Sequence, residues 1–215
     1  MMSCGRFAVI LSGMRASLLS GLAIILAASA LDASQAPDYG ALWEKATPFA
    51  VFLENVKARQ NDWKTRFANA AVDAEELNDA RALPGRRRIL AVATDRCSDS
   101  AWAIPYIAKL AAVVPEKLDL RVINPREGGR IQSLHLTPDG RLATPTVVVL
   151  DENNRYLGGW VERPAELQAW YIENKPKVTS DELYAHVSKW YADDAGRSTM
   201  RELLAILGRT AAEGK

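Results

Sequence analysis

Apolar residues along this chain change their spacing several times, and each change marks an element. Phe49, Phe52, Leu53, Val56, Trp63 and Phe67 recur at helical spacing. They predict a helix over about 48–68, with Thr47 as its cap, Pro48 at its first position and the aromatic stripe facing the core. "DAEELNDARAL", Asp73 to Leu83, predicts a second short helix that Pro84-Gly85 ends. "RILAVAT", Arg88 to Thr94, is an almost unbroken apolar run, as in a strand buried on both faces. Ile104, Ile107, Ala108, Ala111 and Val114 then line one side of a helix over about 98–114. "LDLRVI", Leu118 to Ile123, alternates as a strand, and "GGRIQSLHL", Gly128 to Leu136, reads as a short helix. "TPTVVVLD", Thr144 to Asp151, is the strongest strand of the chain; Asn153-Asn154 turns it into "RYLGGWV", Arg155 to Val161, as a hairpin partner. Pro164 opens a helix in which Leu167, Trp170 and Tyr171 share a face.

After Lys177 the pattern is helical only. Thr179 to Glu182, "TSDE", fits a capping box, with Leu183, Val187, Trp190 and Tyr191 following on one face. Gly196 breaks the run, and "TMRE", Thr199 to Glu202, starts another helix. These segments are expected to pack on the core, because their apolar faces need covering.

From Arg86 the order is strand, helix, strand, short helix, strand, strand, helix. Strand–helix–strand asks for a right-handed crossover and parallel pairing, and the later hairpin adds antiparallel strands. The expected fold is α/β, a mixed sheet of about four strands with helices on both faces. It divides the chain into an N-terminal helical extension (37–85), a central domain (86–176) and a C-terminal helical extension (177–215).

Residues 1–30 read differently. Arg6 and Arg15 precede an uncharged stretch, Ala16 to Leu31, that is short for a membrane span. A positive flank, an apolar run and the small residues Ala28 to Ala30 suggest a secretory signal peptide cut after Ala30. A retained membrane anchor is the alternative. Cleavage would leave no stable membrane span and would direct the protein to the periplasm or outside the cell. It would also remove Arg6, Arg15 and no acid, leaving 25 basic and 26 acidic residues, a net charge of −1. A near-neutral chain has no electrostatic footprint for nucleic acid. "RRR", Arg86 to Arg88, reads as a solvated lead-in to a strand. Of the two cysteines, Cys4 would leave with the signal, so Cys97 stands alone. In an oxidising compartment a lone thiol is either buried and inert or kept for reaction.

Other chemistry is poorly represented. His135 and His186 share no metal spacing, and with one cysteine they make a zinc site improbable. Neither histidine sits in a nucleophile–base pattern, and no GxSxG occurs. Gly128-Gly129 and Gly158-Gly159 lack the strand-to-helix context of a phosphate loop and read as bends or bulges. No cofactor is implied.

"TDRCSDSAWAIP", Thr94 to Pro105, holds the candidate chemistry. Cys97 lies just past a strand at the start of a helix, Pro105 stands eight residues on, and Thr144-Pro145 immediately precedes a strand. In these three places the chain resembles thioredoxin, and more narrowly the bacterial thioredoxin-like proteins whose motif reads tryptophan, cysteine, glycine, aspartate, serine. Cys97, Asp99 and Ser100 agree with that motif; Arg96 replaces the tryptophan and Ser98 the glycine. The resemblance covers about Arg86 to Asn174. It implies a cis-proline at Pro145 facing the thiol. It also places Ala91 where thioredoxin keeps a buried acid.

Thiol–disulfide exchange needs a thiolate, access and a leaving group. A helix start favours thiolate at Cys97, and Arg96 adds to this if it turns towards the sulfur; the charge of Asp99 opposes it. Ser100 stands where a resolving cysteine would attack a mixed disulfide. Its oxygen forms no stable disulfide, so it can only donate a hydrogen bond to the Cys97 sulfur. Two functions follow. One is single-thiol exchange, through Cys97, Asp99 and Ser100, with protein disulfides or a small thiol such as glutathione. The other is a non-catalytic module that binds a peptide or protein partner beside Arg96, Thr144 and Pro145.

Overall fold

The computed structural model of the chain describes residues 36–210; the expected signal segment and its cleavage point lie outside them. The elements run α1 (Tyr39–Lys45), β1 (Thr47–Pro48), α2 (Phe49–Asn55), α3 (Gln60–Asn69), α4 (Ala74–Ala82), β2 (Arg87–Val92), α5 (Ser98–Val113), β3 (Leu118–Ile123), α6 (Pro125–Leu134), β4 (Thr146–Asp151), β5 (Tyr156–Val161), α7 (Ala165–Asn174), α8 (Ser180–Asp194) and α9 (Arg197–Leu207). The strands form one mixed sheet of order β1-β3-β2-β4-β5. β2 pairs parallel with β3 and antiparallel with β4, and β4 pairs antiparallel with β5.

Alternation along the central strands divides the core into two layers, because successive side chains leave a strand on opposite faces. Ile89, Ala91, Val147 and Val149 point to the layer that holds α5; Leu90, Val92, Val148 and Leu150 point to the layer of Trp43 and Ile131. All eight strand residues are fully buried, so the unbroken apolar run of β2 has its cause in the two-sided cover. The thioredoxin-like α/β fold is the one expected. The sheet has five strands rather than four, because Thr47 and Pro48 pair antiparallel with Val122 and Arg121 at its edge.

That edge pairing is one reason the helix expected over 48–68 is two helices. Thr47 does not cap it. Pro48 occupies the N-cap of α2 without a side-chain bond. The chain then leaves the helix at Val56 and passes through a left-handed Arg59 before α3. The backbone N–H groups of Lys57 and Ala58 donate to the Asp95 carboxylate at 3.1 and 2.9 Å. Those two donors, which lie between the helices, are therefore satisfied without a helical partner.

Arg87 corrects the reading of the arginine run. It is buried, not solvated. Its guanidinium donates to the carbonyls of Leu207 (2.9 Å) and Arg209 (3.2 Å), at the C-terminal end of α9. Glu202 ties the same helix to β5 and α7, accepting from the Trp160 indole at 2.7 Å and the Ala165 N–H at 2.8 Å. Met200, Leu203, Leu204, Ile206 and Leu207 join the main core. The last helix is therefore structural support for α5 and the sheet.

The entry to α9 gives a test. Gly196 has φ +83°, and a Cβ there would overlap the Tyr106 ring of α5. Gly196→Ala is expected to lose roughly 2–4 kcal/mol, the sum of a left-handed alanine and an overpacked contact. Gly129, inside α6, has nothing within 4 Å of such a Cβ. Gly129→Ala should gain about 0.5–1 kcal/mol. Urea unfolding of the two variants checks both signs.

Candidate functional site

Cys97 is the N-cap of α5. Its backbone is extended, as an N-cap requires, and its sulfur takes the place of the usual capping oxygen. The Ser100 N–H donates to Sγ at 3.4 Å. The thiol in turn donates to the Thr144 carbonyl at 3.1 Å. The Thr144–Pro145 bond is cis, so the sulfur lies against the residue that precedes the cis-proline. Two loops distant in sequence thus meet at one half-buried sulfur.

The residues around it divide into those the sequence singled out and those it did not. Ser100 is fully buried, and it is the backbone N–H that reaches the sulfur; the hydroxyl has no hydrogen-bond partner. The expected hydroxyl–sulfur bond is therefore replaced by an amide one. Arg96 is exposed and makes no hydrogen bond or ion pair through its side chain to the sulfur. Its carbonyl accepts from Arg59 Nε at 2.9 Å. Ala91 is fully buried, facing α5.

Asp99 is only 7% exposed, which is more than a helix-start charge needs. Arg163, from the loop after β5, grips both its oxygens, Nε to Oδ1 at 3.0 Å and Nη2 to Oδ2 at 2.8 Å. Arg163 also pairs with Glu162 at 2.9 Å and donates to Gln168 at 3.2 Å. Glu162 accepts from Arg141 at 3.0 Å, and the Arg163 guanidinium lies 3.8 Å above the Tyr171 ring. Burial pushes the Asp99 carboxyl up, to about 6, against the pull of Arg163. Burial also acts to lower Arg163, but the charges of Asp99 and Glu162 outweigh it and hold the guanidinium protonated.

On the other flank, Asp95 braces the thiol loop. Its carboxylate accepts the Lys57 and Ala58 N–H groups, and its carbonyl accepts the Trp63 indole N–H at 3.1 Å. Burial acts to raise that carboxyl, but the N–H donors and Arg96 hold it below its ordinary value. Pro105 lies inside α5 and offers no N–H to the Ala101 carbonyl one turn back. Arg66 of α3 supplies the missing donor at 3.1 Å, with its guanidinium 3.4 Å above the Trp102 ring.

Asp95, Arg66, Glu162 and Arg163 were not singled out from the sequence. Two acids and two arginines flanked by apolar segments are common on surfaces, and only their tertiary partners separate these. The two histidines lie elsewhere. His135 bonds to the Ile131 carbonyl and the Tyr156 hydroxyl, at 2.8 and 2.9 Å. His186 stacks on Trp170. Among the described residues no cluster of His, Cys, Asp and Glu has a metal-binding arrangement, and no helix is long and apolar enough to cross a membrane.

A family profile described as thioredoxin matches residues 46–178, more than half of the chain. The chain belongs to that family. Among curated proteins none matches. A crystal structure of a protein of unknown function from Pseudomonas aeruginosa is similar, with TM-score 0.61 and 20% identity over 80% of this chain and 98% of that one. An HIV epitope scaffold is similar to the same extent, with TM-score 0.62 and 21% identity over 80% and 98%. At these identities the likeness is one of fold.

The position of Asp99 carries a pH signature. Its carboxyl is raised from 3.8 to about 6, so between these values the folded chain holds a proton that the unfolded chain has lost. For this group stability falls as pH rises through that window and levels off above it. Subtracting the urea-unfolding profile of Asp99→Asn from that of the native chain should isolate a difference that declines between about pH 4 and 6. A difference that is flat there would mean that Asp99 is ionised throughout.

Proposed function

We propose that this thioredoxin-family protein is an exported single-thiol exchange protein of the cell envelope, with Cys97 as the nucleophile. Export rests on the sequence of residues 1–30 alone. The observation that carries the exchange reading is the sulfur itself. It sits at a helix N-cap, receives the Ser100 N–H and lies 3.1 Å from the carbonyl that precedes a cis-proline. A structural cysteine needs none of these, because it behaves as a small apolar side chain and packs as one.

In this reading Cys97 attacks one sulfur of a disulfide, in a protein or a small molecule such as oxidised glutathione, and the other sulfur leaves as a thiol. The product is a mixed disulfide on Cys97. Ser100 stops the sequence there, because no second thiol stands one turn away to release the substrate. An outside thiol completes the cycle. Asp99 and Arg163 hold the first turn of α5, and Arg96, Thr144 and Pro145 form the surface that meets the substrate.

One observation favours binding without exchange. Leu136 and Leu142 are 48% and 61% exposed on the segment that leads to Thr144, and an apolar partner could rest there without touching the sulfur.

Adduct formation separates the two. The native protein should reduce insulin poorly with dithiothreitol as recycling thiol, yet accumulate disulfide-linked species on non-reducing gels. Cys97→Ala should abolish them. Ser100→Cys should shorten their life by at least tenfold, since a thiol held one turn away attacks at high effective concentration. If the native protein forms no adducts and Cys97 resists alkylation at pH 8, the binding reading is the better one.

A further inference from the structure

The turn between α2 and α3 lies against the loop that carries Cys97. The Lys57 and Ala58 N–H groups donate to the Asp95 carboxylate at 3.1 and 2.9 Å, and Arg59 Nε donates to the Arg96 carbonyl at 2.9 Å. Residues 57–66 and 94–97 thus form one ledge beside the sulfur. It holds five cations, Lys57, Arg59, Lys64, Arg66 and Arg96, against two acids, Asp62 and Asp95, a net charge of +3. Both acids are taken up within the ledge. Asp62 pairs with Arg59 at 3.5 Å and with Arg66 at 3.6 Å. Asp95 is half-buried on its two N–H donors. The next acid along the chain, Asp99, is buried and gripped by Arg163. Three cations are left over. Two of them, Lys57 and Arg96, are exposed at the contact with the thiol loop and have no ion-pair partner among the described residues.

We propose that Cys97 exchanges with disulfides of acidic peptides, whose carboxylates are drawn to the spare cations of this ledge. The proposal rests on the exchange reading above and assigns its substrate class. Exposed charges of one sign at a reacting site raise the local concentration of an oppositely charged ligand and speed its arrival. Arg96 adjoins Cys97, and consecutive Cα atoms are about 3.8 Å apart on either chain. A carboxylate next to the substrate's own cysteine therefore comes within reach of Arg96 when sulfur meets sulfur. The planar fork of a guanidinium matches a carboxylate. On the other side of the sulfur, Thr144 and the exposed Leu142 are uncharged, so the ledge alone sets the preferred sign.

The Cys97 thiol gives its proton to solvent, and its sulfur electron pair forms an S–S bond with one sulfur of the peptide disulfide. The old S–S bond breaks with its electron pair on the second sulfur, which takes a proton from solvent and departs as a thiol. One disulfide is exchanged for another, and no outside oxidant or reductant enters this step.

Charge preference at the sulfur is read in two ways on the native full chain, with the label followed on the peptide that carries Cys97. Alkylation by iodoacetate, an anion, is compared with alkylation by neutral iodoacetamide; the ratio of rates cancels the thiolate fraction, which both share. Mixed-disulfide formation with oxidised glutathione, an acidic peptide, is compared with that of cystamine, a dication. Each ratio is divided by that of N-acetylcysteine amide, a neutral thiol. Both should exceed one by about threefold to tenfold at low salt, the lower end of what electrostatic steering contributes, and fall towards one in about 1 M salt, where the Debye length is ~3 Å. Arg96→Glu and Lys57→Glu should each lower both ratios, and the double substitution should bring them to one or below. Neither alters a backbone group that holds the loop, and a melting curve with native cooperativity shows that each variant is folded. Should a variant fail to fold, the salt dependence of the native chain decides. Native ratios of one that salt does not move overturn the proposal, while adducts with both disulfides leave the exchange reading standing. If iodoacetate is preferred but no disulfide forms an adduct, the exchange reading fails and the substrate assignment with it, and only the cationic ledge stands.

Discussion

The placement of the thiol depends on a buried ion pair. Asp99 lies two residues beyond Cys97, and Arg163 binds both its oxygens from a loop 64 residues away in sequence. Such a pair adds little net stability, because two desolvated charges are set against one attraction. Removing one partner, however, costs about 3–5 kcal/mol. What the pair contributes is geometry. It forms only when the first turn of α5, the end of β5 and the α7–α8 hairpin meet in one arrangement. Tyr171 lies on the guanidinium and Gln168 accepts from it, so the hairpin is fixed by the same group that fixes the helix start. The C-terminal helices are in this sense part of the site.

The opposite flank solves a different problem. A proline within α5 leaves the Ala101 carbonyl without its helical donor, and the thiol loop has carbonyls that belong to no ladder. Arg66 meets the first need; Trp63 and Arg59 meet the second, at Asp95 and Arg96. All three donors come from α3 or the residue that caps it. This is why the N-terminal aromatic stripe breaks into two helices. A continuous helix would carry Lys57 and Ala58 away from Asp95, whose carboxylate would then be partly buried with no donors. The interruption at Val56 follows from contacts 38 residues downstream, which no local pattern can display.

Much else was legible in the sequence, for a physical reason. Periodicity reports which faces are covered, so the central strands and α5 could be read to within two residues. The capping box at Thr179 could be read as well, because capping is local chemistry. Cys97, Pro105 and Thr144-Pro145 were visible as a spacing. The edge strand was hidden, because Thr47-Pro48 is also a good helix start. Arg87 and Arg163 were hidden more deeply: burial of an arginine is decided by distant carbonyls and carboxylates. Tyr191 appeared only as one apolar residue of a helical face; its stack against Trp102 is a tertiary fact.

In the proposed exchange, the two halves of the reaction would draw on different parts of this site. Capture depends on where the sulfur is, and that is set by backbone groups, the Ser100 N–H and the Thr144 carbonyl. Release depends on what side chain stands at position 100. A backbone amide is indifferent to the residue that carries it, and the Ser100 hydroxyl takes no part in holding the sulfur. A cysteine at this position can therefore be replaced by serine without moving the thiol, the cis-proline or the helix start. The same separation explains how the acid at the sheet face can be absent. Ala91 fills the core beneath α5 as any small apolar residue would, while charge is confined to the helix start, where Arg163 can neutralise it. The geometry at the sulfur is thus independent of the side chain at position 100, so in the proposed exchange capture would not need the groups that complete a cycle.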